Sequence, residues 1–145
     1  GLSASASFLN SMIVMRLGMR RLISAALRIQ IVWSLGMLLL YAQGLMAGDL
    51  GFALFIFWIF GLFFQAGMTL GNLTALAMEP LGHIAGTAAS VTSAVATLGS
   101  ILLASVAGQF FDGTPLILIV AIFVLSICGS LSAHRLKRFE RRAAV

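Results

Sequence analysis

Hydrophobic residues dominate four long segments of the chain, and short polar breaks separate these segments. The segments cover residues 22–43, 50–78, 84–109 and 115–133. Each reaches the length of about 20 apolar residues that a helix needs to cross a bilayer core. Backbone groups in lipid must be hydrogen-bonded internally, and the strict alternation typical of barrel strands is missing from the sequence. The pattern therefore predicts four transmembrane helices.

The three breaks between the segments carry the residues that end helices. The first break contains glycines and Asp49, and the second runs through residues 79–83. Pro80 in the second break cannot donate a helical hydrogen bond. The third break, residues 111–115, combines an Asp-Gly turn with a proline suited to the first turn of the next helix. We therefore expect the helices to be interrupted at all three places.

The charges predict which side of the membrane each break occupies. The chain is 61% hydrophobic and only 9% charged, whereas soluble domains are about 25% charged. All nine Lys and Arg residues lie between residues 16 and 28 or after residue 134. By the positive-inside rule, the 16–21 loop and the 134–145 tail are cytoplasmic, and four crossings place both ends on that side. Because the basic residues flank apolar spans, we expect no nucleic-acid partner.

The sequence offers no arrangement of residues typical of an enzyme or a metal site. Cys128 is the single cysteine, so no internal disulfide can form. Neither a nucleophile with its base nor metal-ligand spacing occurs, and no carboxylate lies in the middle of a span. We therefore expect no catalytic residue, no metal and no cofactor.

The second span carries the candidate substrate cavity. Trp58, Gln65, Thr69 and Asn72 fall at helical spacing on one face. Gln65 and Asn72 face lipid only at a high free-energy cost. Either they hydrogen-bond a neighbouring helix or they line a polar cavity, and the sequence leaves both interpretations open.

The third span is built mostly from Gly, Ala, Ser and Thr. Its bulky residues recur at spacings of seven, four, three and four and form one stripe: Ile84, Val91, Val95, Leu98 and Leu102. Small residues allow helix backbones to approach each other closely in membranes. We therefore expect this helix to be tightly packed, with the bulky stripe facing lipid or a single neighbour.

Arg28 is a cation inside the first span, about 10 Å from Arg21 along a helix. One interpretation is that its side chain snorkels to the cytoplasmic face. The other interpretation is an interior cation that faces a water-filled path.

Residues 71–90, with the sequence GNLTALAMEPLGHIAGTAAS, resemble the loop between helices ten and eleven of major facilitator superfamily transporters. The similarity is closest to the drug–proton antiporter branch that contains the bicyclomycin and chloramphenicol resistance proteins. Pro80 and residues 85–90 carry it. The 111–114 turn, the final helix and the basic tail are also similar to that branch. Residues 16–21, RLGMRR, are similar to the basic loop between helices eight and nine, although the acidic residue that usually precedes this loop is missing.

This resemblance implies an all-α transmembrane fold, the C-terminal part of a twelve-helix transporter. Residues 1–145 would hold the end of helix eight, helices nine to twelve and the basic tail, and the N-terminal half of the same polypeptide would be a partner. The implied function is proton-coupled efflux of drugs or other small amphipathic compounds by alternating access in a bacterial inner membrane. The face with Gln65 and Asn72 would lie near the substrate cavity. The residues that define the cytoplasmic loops would be Arg16, Gly18, Arg20, Arg21, Glu79, Pro80 and Gly86.

A second interpretation is a complete four-helix integral membrane subunit with a structural or interaction role. The chain begins with Gly1 and its first segment is too short to span a bilayer, which favours a fragment that begins inside a helix.

Overall fold

The computed structural model describes residue 14 and residues 18–143, with side chains as far as residue 136. Every regular element in this part of the chain is helical. The α-helices are α1 (Met19–Ala42), α2 (Gly48–Met78), α3 (Ala85–Gln109) and α4 (Leu116–Ala143), and a 3₁₀ segment (Glu79–Ile84) joins α2 to α3. The predicted all-α class is therefore confirmed for the described residues. The helix expected before residue 16 lies outside them.

Three helical stretches are long and apolar enough to cross a membrane: Met19–Ala42, Gly48–Gln109 and Leu116–Leu136. The middle stretch counts α2 and α3 together and is 62 residues long. As one straight helix it would extend about 93 Å, roughly three times the thickness of a bilayer core. The backbone leaves helical geometry inside the 3₁₀ segment, at Leu81. Because α2 has 31 residues and α3 has 25, each is long enough for a crossing of its own.

The turn between α1 and α2 depends on glycine. Gly44 and Gly48 have φ values of 74° and 72°, a region that residues with a Cβ rarely adopt. The amide of Leu45 donates a hydrogen bond of 3.0 Å to the carbonyl of Leu40 and closes the end of α1. Gly51 lies in the first turn of α2 against the backbone of Met46, where there is no room for a side chain. This turn sends α2 back along α1.

Helix α1 is the centre of the fold and packs against both α2 and α4. Met37, Trp58 and Ile119 form the core where the three helices meet. Further along α1, Trp33 contacts Gly61 of α2, and Leu27 contacts Gly129 of α4. In these contacts, α1 residues with lower numbers lie beside α2 and α4 residues with higher numbers. Helix α1 is therefore antiparallel to α2 and to α4.

Helix α3 differs from the close packing predicted for it. None of its residues, all of which the structure describes, is buried. The bulky stripe is exposed, and a Cβ placed on Gly99 would meet nothing within 4 Å. Helix α1 lies between α2 and α4, and no residue of α3 belongs to the core that these three helices share. Helix α3 therefore makes few contacts with either neighbour.

Candidate functional site

An open cleft of about 360 Å³ lies at the end of the fold where α1 begins and α2 ends. Its lining combines the Gly18–Arg21 segment with Leu76 of α2 and Glu79, the first residue of the 3₁₀ segment. The antiparallel packing of α1 and α2 brings these segments together. Gly18, Arg20, Arg21 and Glu79, four of the residues assigned to cytoplasmic loops from the sequence, therefore share one site.

Local backbone geometry fixes both sides of the cleft. Gly18 has a φ of 78° immediately before α1, and its carbonyl accepts a hydrogen bond of 3.2 Å from the amide of Leu22. On the other side, Glu79 starts the 3₁₀ segment together with Pro80. Arg20, Arg21 and Glu79 give the lining of the cleft charged residues of both signs. Pro80 and Gly86 are exposed and are not part of its lining. Arg16 lies outside the described residues.

The proposed cavity face of α2 points into the helix cluster. Trp58 is fully buried, and Thr69 and Asn72 are 6% and 5% exposed, whereas Gln65 is half-buried. The Thr69 hydroxyl donates to the carbonyl of Gln65 at 2.9 Å, and the Asn72 amide donates to the carbonyl of Met68 at 2.8 Å. These bonds satisfy polar atoms within α2 itself, which makes burial in an apolar setting tolerable. A role of this face in substrate binding stays a prediction.

Sequence reasoning missed a second set of buried polar residues, which lies on α1 and α4. Gln30, Ser34 and Ser126 are buried. The Gln30 side chain donates a hydrogen bond of 3.1 Å to the Ser34 hydroxyl, one turn away on α1. The signal was present in the sequence, because Gln30 and Ser34 continue the helical spacing of Ala26 and Met37. Polar residues in that register are predicted to face the neighbouring helices.

Arg28 and His134 come together across the contact between α1 and α4. The Arg28 Nη2 atom lies 3.4 Å from the His134 Nε2 atom, and both side chains are exposed. The sequence separates the two residues by 106 positions, and only the antiparallel packing of α1 and α4 makes them neighbours.

The turn before α4, at the opposite end from the cleft, has its own polar cluster. The Asp112 carboxylate accepts hydrogen bonds from the Thr114 amide at 3.0 Å and from the Thr114 hydroxyl at 2.7 Å. These two bonds favour the charged carboxylate and lower the pKa of Asp112 below its ordinary value. This cluster caps the turn that leads into α4 and has the geometry of an Asx turn.

Within the described part of the chain, no three His, Cys, Asp or Glu residues group in a way that could hold a metal ion. No protein-family description, no curated protein and no solved structure matches the chain.

Proposed function

We propose that this chain forms the C-terminal part of a membrane transporter of the major facilitator type that exports small amphipathic compounds. The proposal is supported by the resemblance of residues 71–90 to that superfamily and by the long apolar helices on either side of them. Buried polar side chains inside the helix cluster, on α1, α2 and α4, add to this support. A transporter needs such groups to recognise polar parts of its substrate within the membrane.

The observation that carries the proposal is the exposure of α3. This helix is apolar and 25 residues long, yet none of its residues is buried. Membrane helices rich in small residues associate through close backbone packing, because lipid gives no hydrophobic force between them. The small residues of α3 have no such neighbour in the described structure. Further helices, supplied by the rest of a transporter, would give α3 the contacts that its composition favours.

In this proposal the half-buried Gln65 is the residue of this face that contacts the substrate. Its side chain lies on the same face as Thr69 and Asn72 but is less enclosed than either. The cleft at the start of α1 and the end of α2 would open and close as the two halves of the transporter rock. Asp49, Glu79 and Asp112 all lie at helix ends. The proton-coupling carboxylate is therefore proposed to belong to the other half of the protein.

The experiment is a resistance and accumulation assay on the gene together with its upstream sequence. The upstream sequence should encode about seven further spans. Cells that express the whole protein should accumulate less of a dye or drug substrate, and a protonophore should abolish the difference. Gln65→Ala should change resistance to at least one substrate. The matched control is Thr74→Ala, also on α2, because Thr74 is exposed and bonds only to the carbonyl of Leu70.

One result would contradict the transporter, and another would contradict the role of Gln65 in its cavity. A start codon and promoter directly upstream of Gly1 would remove the proposed N-terminal half. If Gln65→Ala is expressed at the normal level and resistance to every substrate is unchanged, the polar face has a role in helix packing only.

The second candidate function is a four-helix membrane subunit, and one observation favours it. Helices α1, α2 and α4 share a core without help from other chains, with Trp58 and Ile119 both at 0% exposure. A subunit of this kind would bind a membrane partner through α3. Expression of residues 1–145 alone distinguishes the candidates. A subunit should accumulate stably and co-purify with one partner at fixed stoichiometry, whereas a transporter fragment should be degraded.

A further inference from the structure

We propose that Arg28 and His134 form a binding site for the phosphodiester headgroup of an anionic membrane lipid. The site lies where α1 packs against α4 and consists of the Arg28 guanidinium and the His134 imidazole. It requires only that the chain lies in a bilayer, so it holds for either of the candidate functions.

The position of the Arg28 guanidinium supports a headgroup rather than a substrate in the middle of the membrane. Side chains on a helix lean toward its N-terminus, so Arg28 leans toward the start of α1. His134, which it contacts, directly follows the apolar residues 115–133 and is followed by Arg135 and Lys137. Arg28 therefore snorkels to the level where apolar residues give way to charged ones. Lipid phosphates lie at this level of a bilayer.

The charges around the site favour an anion. The Arg28 guanidinium is the cation of the site, and on α1 the Ser24 hydroxyl is already bonded to the carbonyl of Arg20. Among the side chains that the structure describes, the acidic residue at this end of the fold is Glu79, which belongs to the cleft between α1 and α2. An exposed arginine at the edge of an apolar span, with no carboxylate beside it among the described side chains, attracts an anion from its surroundings.

The geometry of the two side chains suits a phosphodiester. A guanidinium offers parallel N–H donors that match two phosphate oxygens. When His134 Nε2 accepts a hydrogen bond from Arg28, the other ring nitrogen carries the proton and can donate to the same headgroup. On the inner side of the site, Leu27 lies beside Gly129, about one turn deeper along α4. The headgroup therefore approaches from the lipid side, with its acyl chains along the exposed surfaces of α1 and α4.

The test is lipid binding to the purified protein, expressed together with any further sequence that its gene encodes, in a neutral detergent and measured by native mass spectrometry. The probes are dimyristoyl phosphatidylglycerol, phosphatidylcholine with the same acyl chains, and inorganic phosphate. We expect one phosphatidylglycerol to bind about fivefold more tightly than phosphatidylcholine, which corresponds to about 1 kcal/mol for one basic residue near anionic lipid. Arg28→Gln should abolish this preference. Arg135→Gln removes the same charge at the same level, but about 100° around α4, and should keep the preference.

Conservative variants keep the test decisive if Arg28→Gln fails to fold, which circular dichroism would reveal. Arg28→Lys retains the charge without the fork of donors and should keep part of the preference. His134→Gln retains an N–H donor and should bind like the unmodified chain, whereas His134→Leu should bind more weakly. Equal effects of the glutamine and leucine variants would overturn the role of His134 in the site.

Three results would overturn the proposal as a whole. Equal binding of the two lipids would show that the headgroup charge is not recognised. Equal losses in Arg28→Gln and Arg135→Gln would indicate diffuse attraction to the basic end of the fold. Displacement of phosphatidylglycerol by inorganic phosphate at comparable concentration would assign the site to a free anion.

Discussion

Replacement of Trp58 tests how the three packed helices are held together. Trp58 is completely buried against Met37 and Ile119, and its ring stacks on Phe55 at a centroid distance of 5.9 Å. Its indole N–H has no hydrogen-bond acceptor among the described residues. The side chain therefore combines favourable packing with an unpaired buried donor, and the two contributions can be separated by substitution.

The expected free-energy changes differ between two substitutions at this position. Trp58→Ala removes the whole ring and should lower the free energy of unfolding by about 3–5 kcal/mol, the usual cost of such a cavity. Trp58→Phe loses packing worth roughly 1–2 kcal/mol. It also removes the unpaired donor, whose burial costs about 1–3 kcal/mol. Because these terms oppose each other, Trp58→Phe should lie within about 1 kcal/mol of the unmodified chain.

The assay is reversible unfolding of the chain in mixed micelles, with SDS titrated into a neutral detergent and helicity followed by circular dichroism. Trp33→Phe is the matched control, because Trp33 is 37% exposed and its ring lies against Phe57 at a centroid distance of 5.3 Å. We expect a small change there. If Trp58→Phe costs as much as Trp58→Ala, the indole N–H contributes stabilising hydrogen bonding, and the reasoning from an unpaired donor is wrong.

Two further predictions concern the turns. Gly51→Ala would place a Cβ 2.6 Å from the Met46 Cα and should destabilise the chain by about 1–3 kcal/mol or more in the SDS assay. At Gly36 a Cβ meets nothing within 4 Å, so Gly36→Ala should stabilise α1 by up to about 1 kcal/mol. Equal changes in the free energy of unfolding for Gly51→Ala and Gly36→Ala would contradict the predicted clash with the Met46 backbone. The pKa of Asp112 is lowered by the hydrogen bonds from Thr114. The charged carboxylate therefore stabilises the turn at pH values above its ordinary pKa of 3.8, and this stabilisation is lost as the pH falls through the lowered pKa. The NMR shift of the Thr114 amide should report this titration and stay constant in Asp112→Asn.

Much of the helical layout could be predicted from the sequence, but two helix ends differ from the predicted spans. Helix α1 begins at Met19, before the predicted start at residue 22, and α4 continues to Ala143 rather than stopping near residue 133. The spans were bounded by apolar residues, whereas Lys and Arg are good helix formers and extend a helix into water. Hydropathy therefore limits the membrane-crossing part of a helix and not the helix itself.

The candidate site was only partly accessible from sequence. Periodicity along α2 identified Trp58, Thr69 and Asn72 as one face, and the structure buries all three. The contact between Arg28 and His134 was missed, because no local pattern connects residues on different helices. The side chains of Gln30 and Ser34 were missed as a pair, although their spacing on α1 pointed inward.

The sequence by itself determined the all-α class, the apolar helices and the positions of the turns. These depend on local properties: apolar length, glycine at positive φ, and proline at the start of a helix. The tertiary structure decided which helices pack together. It placed α1 between α2 and α4, buried Trp58 and Ile119 in the shared core, and left α3 without a buried residue. Every helix here is apolar on most of its surface, so hydrophobicity alone cannot select a partner, and the choice depends on how side chains of different helices fit together.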